Sequence, residues 1–326
     1  MARPLKQRGD FHERDLEVFK FLWRWKMGTT QALAKRYWPS ASSETAYNRL
    51  LKLQDRGYIE SATINGRGSR FIWVLTKKGF ATVLPGLPTL REVGFRSEYP
   101  EHDLYVAACH LGEWLVHTPP FVEVFSEQEI RRFNFENYPS WVPRTERHRP
   151  DGYWRVPYKN MMLTIALEVE LNFKTVNQYE VIGHFYKKQE SVNRVCWITD
   201  TLSTAKSLQA VFQREDPEGY LKHNFILFKD FGVSHWESKI VMGYEQGKTI
   251  GFTLGIRLQD SQHPMHSSCT CMTSALLDTR KRRATSKASN NSPQTQLSHS
   301  MALPAISRTP SNNKPTQGDA LCNLPK

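Results

Sequence analysis

Residues 163–171 run almost without polarity, and the exceptions are Thr164 and two glutamates, Glu168 and Glu170. So apolar a run reads as a strand covered on both faces. It therefore demands a layered sheet, and it carries carboxylates to a place where they need partners. A chain reversal precedes it. Pro157-Tyr158-Lys159-Asn160 has turn chemistry, and another apolar stretch around Tyr153 and Trp154 lies on its far side. Folding a hairpin about Tyr158 and Lys159 sets Asp151 opposite residues 166–168. Strand alternation puts Glu168 and Glu170 on one face. Asp151, Glu168 and Glu170 thus gather at one end of a sheet. Carboxylates packed together repel one another unless a cation neutralises them, and hard oxygen ligands suit Mg²⁺ or Mn²⁺. The plainer alternative is a surface hairpin with solvated acids, and the apolarity of 163–171 speaks against it.

Pro150-Asp151 followed by Glu168-Val169-Glu170 resembles the PD-(D/E)XK nuclease motif. Glu170 stands where that family usually has Lys, a Glu-X-Glu variant that occurs there. The resemblance implies that Asp151 and Glu168 hold a metal ion, which polarises a scissile phosphate and activates a water or a tyrosine. Glu170 then either ligates the metal or accepts a proton. Lys174 or Arg149 supplies charge to the phosphorane. Lys174 reaches the site only if the chain turns after Asn172, because full extension carries it about 13 Å past Glu170. Tyr153, Tyr179 and Tyr186 are the candidate nucleophiles, although aromatic residues at such spacing usually pack in a core. His148 approaches Asp151 in sequence, but a loop histidine is more often simply exposed. Asp103 either adds one more acid or serves the start of its helix, which favours acids.

The chain has 326 residues and a formal net charge of +12. Half of that excess lies in residues 261–326, so the remainder is basic too, and a polyanionic partner fits. No stretch resembles a membrane span or a signal peptide. Five scattered cysteines suit a reducing cytoplasm. Cys109 and Cys196 sit in apolar runs and read as core. Cys269-Thr270-Cys271 has the wrong spacing for a zinc knuckle.

Residues 10–90 form a first module. Leu16, Phe19, Leu22 and Trp23 recur at helical spacing. Thr29 or Thr30 caps a second helix. A third covers about 43–56, with Ala46, Leu50, Leu51 and Leu53 as its buried stripe and Gly57 as its stop. A hairpin turning at Asn65-Gly66 follows, and Thr76-Lys77-Lys78-Gly79 opens another helix. Three helices and a basic-tipped hairpin resemble a winged helix-turn-helix. That resemblance implies DNA binding through the third helix in the major groove, by Ser43, Tyr47, Asn48, Arg49 and Lys52, with Arg67 and Arg70 of the wing on phosphate or the minor groove. A protein-binding winged helix is the alternative.

Pro85-Gly86-Leu87-Pro88-Thr89 marks a boundary, and residues 96–250 form the second domain. Its expected order is helix from 101, strand at 121–125, short helix at 127–133, the acid-bearing hairpin, helix, strand, helix and strand, with 236–242 as a further strand. The restriction-endonuclease core has this order, with its acids on the second and third strands. The fold expected is therefore α+β or α/β: a winged helix-turn-helix, then a restriction-endonuclease-like αβββαβ mixed sheet, then a disordered tail at 258–326, where Ser, Thr, Asn, Gln and Pro dominate.

Taken over residues 12–230, the chain is similar to the MobC class of plasmid mobilisation relaxases and the related replication-relaxation proteins. The likeness rests on the first module, Glu101-His102-Asp103-Leu104, Arg149-Pro150-Asp151-Gly152, Glu168-Val169-Glu170 and the helix bearing Tyr186. It implies recognition of a plasmid transfer origin, nicking of one strand, and work with an accessory mobilisation protein and a coupling protein. The missing motif Lys leaves hydrolysis and covalent tyrosine attack both open. A DNA-binding regulator with an inactive nuclease fold and a plain endonuclease are the competing functions.

Overall fold

The computed structural model of the protein describes residues 12–65, 70–111, 121–158 and 160–253. The wing tip with Arg67 and the tail at 258–326 lie outside the described residues.

Three helices open the chain: α1 (Glu13–Arg24), α2 (Thr30–Tyr37) and α3 (Ser43–Asp55). Local chemistry sets their ends. Thr29 accepts from the Ala32 amide and Ser42 from the Thr45 amide, the usual way an N-cap oxygen satisfies an orphan donor. Gly57, with φ of 73°, turns the chain out of α3. Strands β1 (Ile59–Ile64) and β2 (Arg70–Leu75) then pair antiparallel, and α4 (Lys77–Val83) follows from its cap Thr76. Val18, Phe19, Leu22, Leu33, Ala46, Leu50, Leu53 and Trp73 are buried together.

The segment after α4 is fastened down. Leu90 bridges Phe133, and the Arg91 guanidinium donates to the carbonyls of Ile130 and Arg131. The chain just past the expected boundary at residues 85–89 is therefore strapped to residues 130–133. One continuous apolar cluster runs from Phe19 and Trp23 through Phe125 and Phe133 to Tyr186 and Phe212, and the described residues belong to one unit.

The second half comprises α5 (Pro100–Leu111), β3 (Glu123–Ser126), α6 (Glu127–Arg132), β4 (Gly152–Tyr158), β5 (Met161–Glu170), α7 (Val176–Lys188), β6 (Arg194–Thr199), α8 (Leu202–Glu215), β7 (His223–Leu227), α9 (Phe228–Ser234) and α10 (Ile250–Thr253). The five strands lie side by side in chain order. β3, β4 and β5 form an antiparallel meander, while β5, β6 and β7 run parallel through helical crossovers. The sheet is mixed and is covered on both faces, as residues 163–171 require. Ala166 joins the cluster of α7 and α8, and Ile165, Leu167 and Val169 join that of α5.

Two sequence expectations need correction. The β4–β5 hairpin does not fold about residues 158–159: Tyr158 belongs to β4 and pairs with Met161, and Gly152 pairs with Leu167. The register moves by two, and a period of two leaves every side chain on its expected face. Residues 236–242 do not form a strand. Only isolated bridges join Met242 to Phe225 and Lys239 to Thr249, and the helix α9 precedes them.

Candidate active site at the end of the β4–β5 hairpin

Asp151 stands one residue before β4, where its amide donates to the Leu167 carbonyl at 3.0 Å. Its Oδ2 accepts from the Val169 amide at 2.6 Å. The carboxylate thus lies across the end of the hairpin, beside the strand that carries Glu168 and Glu170. Both glutamates are buried, 5% and 4% exposed.

What stands opposite these acids is the chain's own. Glu168 Oε1 accepts from the Tyr186 hydroxyl on α7 and lies 2.6 Å from His148 Nε2. The His148 ring lies against Phe185 and Tyr186. Lys174 Nζ lies 2.6 Å from Glu170 Oε2. The reversal that Lys174 needs does occur: Thr175 and Gln178 form a capping box at the start of α7, and the Lys174 amide donates to the Tyr179 hydroxyl at 2.8 Å. Burial works against the Lys174 ammonium, but Glu170 outweighs it and holds the group above the ordinary lysine range.

His102 of α5 points its Nε2 at the Val169 carbonyl, 3.0 Å away, and at Asp151 Oδ2, 3.6 Å away. Burial would strip the proton from His102, yet Asp151 and Asp103 more than offset this and raise it to about 9. Burial also raises the Asp151 carboxyl, Glu168 adds to the rise, and His102 and the Val169 amide oppose it.

The expected cage of Asp151, Glu168 and Glu170 does not converge. Among the described residues, no three or more His, Cys, Asp or Glu side chains are grouped to hold a metal ion. The reason is local. Side chains two apart on one face are separated by roughly 7 Å of strand, and Glu170 is drawn towards Lys174 while Asp151 is drawn to the Val169 amide. Asp151, Glu168 and the Val169 carbonyl are hard oxygens, and a basic nitrogen, His102 Nε2, already lies between two of them.

The structure reassigns the remaining candidates. Tyr153, Tyr179 and Tyr186 are buried, at 1%, 0% and 0% exposed, and burial raises all three phenols. They are core residues, and Tyr186 is also the hydrogen-bond donor to Glu168. His148 is not a plain loop residue, since it caps Glu168. Asp103 stands one link behind the site, bonded to Lys26. Arg149 is exposed. His102 enters the sequence reading only within the Glu101-His102-Asp103-Leu104 likeness, without a role of its own: its place opposite Asp151 follows from packing α5 on β5, which no spacing in the chain reveals.

On the first module, Ser43, Tyr47, Asn48 and Lys52 are exposed on α3, and Arg70 is half-buried on β2. Arg49 differs. It forms a two-pronged bond to Asp15, whose side chain is 2% exposed, so it clamps α3 to α1. Tyr47 and Phe71 flank the buried Trp73, with ring centroids at 6.1 and 5.2 Å.

Comparison with protein-family models, with curated proteins and with solved structures finds no match to this chain.

Proposed function

We propose that this protein binds DNA and cleaves one of its strands with the help of a divalent cation, in the manner of a plasmid mobilisation relaxase acting at a transfer origin. One observation carries the reading. The topology sets two acids from adjacent strands, Asp151 and Glu168, at one end of a mixed sheet, with Lys174, His102 and His148 all bonded or ion-paired there. That end of the sheet is packed against a module with the helix–helix–helix–hairpin order of a winged helix and an exposed polar face on α3. A buried acid, a partly buried one raised by desolvation, and a lysine within reach are the ingredients expected of a phosphodiester-cleaving site.

Asp151, Glu168 and the Val169 carbonyl would hold Mg²⁺ or Mn²⁺. When bound, the ion supplies Lewis-acid polarisation of the phosphate and a more acidic water. Lys174 pairs with Glu170 and brings positive charge to the rim. His148, half-buried and on Glu168, is placed to relay a proton to bulk water. Tyr186 fixes the Glu168 carboxylate. Because all three candidate tyrosines are buried, hydrolysis by water is the mechanism favoured over a covalent tyrosine adduct.

A second reading is a DNA-binding regulator with an inactive nuclease fold. It is favoured by the saturation of the acids: each already has a protein partner, and Glu170 replaces the motif Lys. Supercoiled plasmid separates the two. Under the proposal, Mg²⁺ or Mn²⁺ converts supercoiled to open-circular DNA. Asp151→Ala and Glu168→Ala lose that conversion while retaining a gel shift. Binding with no cleavage under either metal supports the regulator, and linear product supports a plain endonuclease.

A further inference from the structure

Lys26 lies at the corner between α1 and α2 and has φ of 64°, the single positive-φ residue other than glycine among the described residues. That region disfavours any side chain beyond glycine, asparagine or aspartate. A lysine persists there only if something over-determines it. Its side chain is 9% exposed, and its ammonium bonds two acids of the second half, Asp103 at 3.0 Å and Glu127. Burial works against the charge, and Glu127 and Asp103 more than restore it. Asp103 also accepts from the Ser97 hydroxyl, and its Oδ1 lies 3.7 Å from His102 Nδ1. His102 in turn faces Asp151 and the Val169 carbonyl.

Neighbouring residues repeat the pattern. The Trp25 ring lies 5.3 Å from that of His110, and His110 Nε2 donates to the Asp151 carbonyl at 2.9 Å. Arg24 bonds Glu129 and the Val124 carbonyl. On the other side, Gly28 exchanges both backbone hydrogen bonds with Trp73, the residue that Tyr47 and Phe71 flank. Asp151 is thus held from two directions by one corner of the first module, which is itself bonded to the hairpin.

We infer that Lys26 is a positioning residue for the acid site: through Asp103 and His102 it fixes the Asp151 carboxylate on the Val169 amide, so the helix–hairpin module is a structural component of that site. The inference rests on the proposed reading of the site for its consequence in cleavage, but not for its consequence in structure. Outer partners of metal-binding groups commonly change activity in this way.

The test uses the full chain. In Lys26→Met, amide hydrogen exchange at Asp151 and Val169 quickens while that of α3 and β2 is unchanged. The cleavage rate falls about tenfold or more, DNA affinity in a gel shift stays the same, and Lys26→Arg restores both exchange and rate. Should Lys26→Met fail to fold, Asp103→Asn, which keeps the shape of the side chain, is expected to show the same local quickening. Unchanged exchange at Asp151 and Val169 overturns the inference, as does a loss of DNA affinity in step with rate. If the wild-type protein cleaves nothing, the reading of the site falls, and the exchange result still decides the role of Lys26.

Discussion

Two buried histidines set the residue-scale behaviour. Trp154 Nε1 donates to His110 Nδ1, and Trp197 Nε1 donates to His223 Nδ1, each at 2.9 Å. Both imidazoles are fully buried acceptors, so protonation would break a bond and bury a charge. Burial lowers His110 to about 4 and His223 to about 3. With folded values depressed below the ordinary 6.5, their stabilising effect is complete above that pH. It is lost as acid moves through the range down to 4 and 3. Each such shift is worth roughly 3 to 5 kcal/mol. The urea midpoint is expected to drop steeply from pH 6.5 to 4, and His223→Asn, which keeps an acceptor for Trp197, should make the slope shallower. A variant with an unaltered slope would remove His223 from this account. Gly152 poses a steric test beside Asp151. A Cβ there would lie 2.4 Å from the His110 ring, and overpacking costs about 2 kcal/mol. Gly152→Ala is therefore expected to lower the thermal midpoint and to weaken cleavage more than DNA binding.

At the scale of elements, much of the chain was legible. The apolar run at 163–171 demanded a covered strand, and β5 is one. Alternation placed Glu168 and Glu170 on one face without knowledge of the true turn, because a two-residue slip conserves faces. The misses share one cause: the sequence shows which residues lie on a face, but not what another element brings to it. His102 arrives on α5 and Lys26 on the α1–α2 corner, far away in the chain. Residues 236–242 resemble a strand in composition, yet their amides find only isolated bridges. Arg49 has the composition of a DNA contact, yet Asp15 on α1 claims it. Arg49→Ala leaves Asp15 buried with one charge partner fewer, which costs roughly 3 kcal/mol. It is therefore expected to lower the unfolding midpoint, whereas Lys52→Ala or Asn48→Ala should weaken DNA binding at unchanged stability. Equal stability of Arg49→Ala and Lys52→Ala would contradict this division.

Over the whole molecule, the described residues make one body in which a helix–hairpin module is bolted to a mixed sheet. No helix among the described residues is long and apolar enough to cross a membrane. The basic excess is spread over the chain, and under the proposed function duplex binding should weaken steeply with salt. The central claim is that Asp151 and Glu168 jointly take a divalent cation, displacing or recruiting the basic groups that now stand opposite them. Calorimetric titration of Mn²⁺ into the full chain tests this most directly. One saturable site, lost in Asp151→Asn and in Glu168→Gln with both variants still folded, is the predicted result. Absence of binding in the wild-type protein, or binding that survives both substitutions, would contradict it.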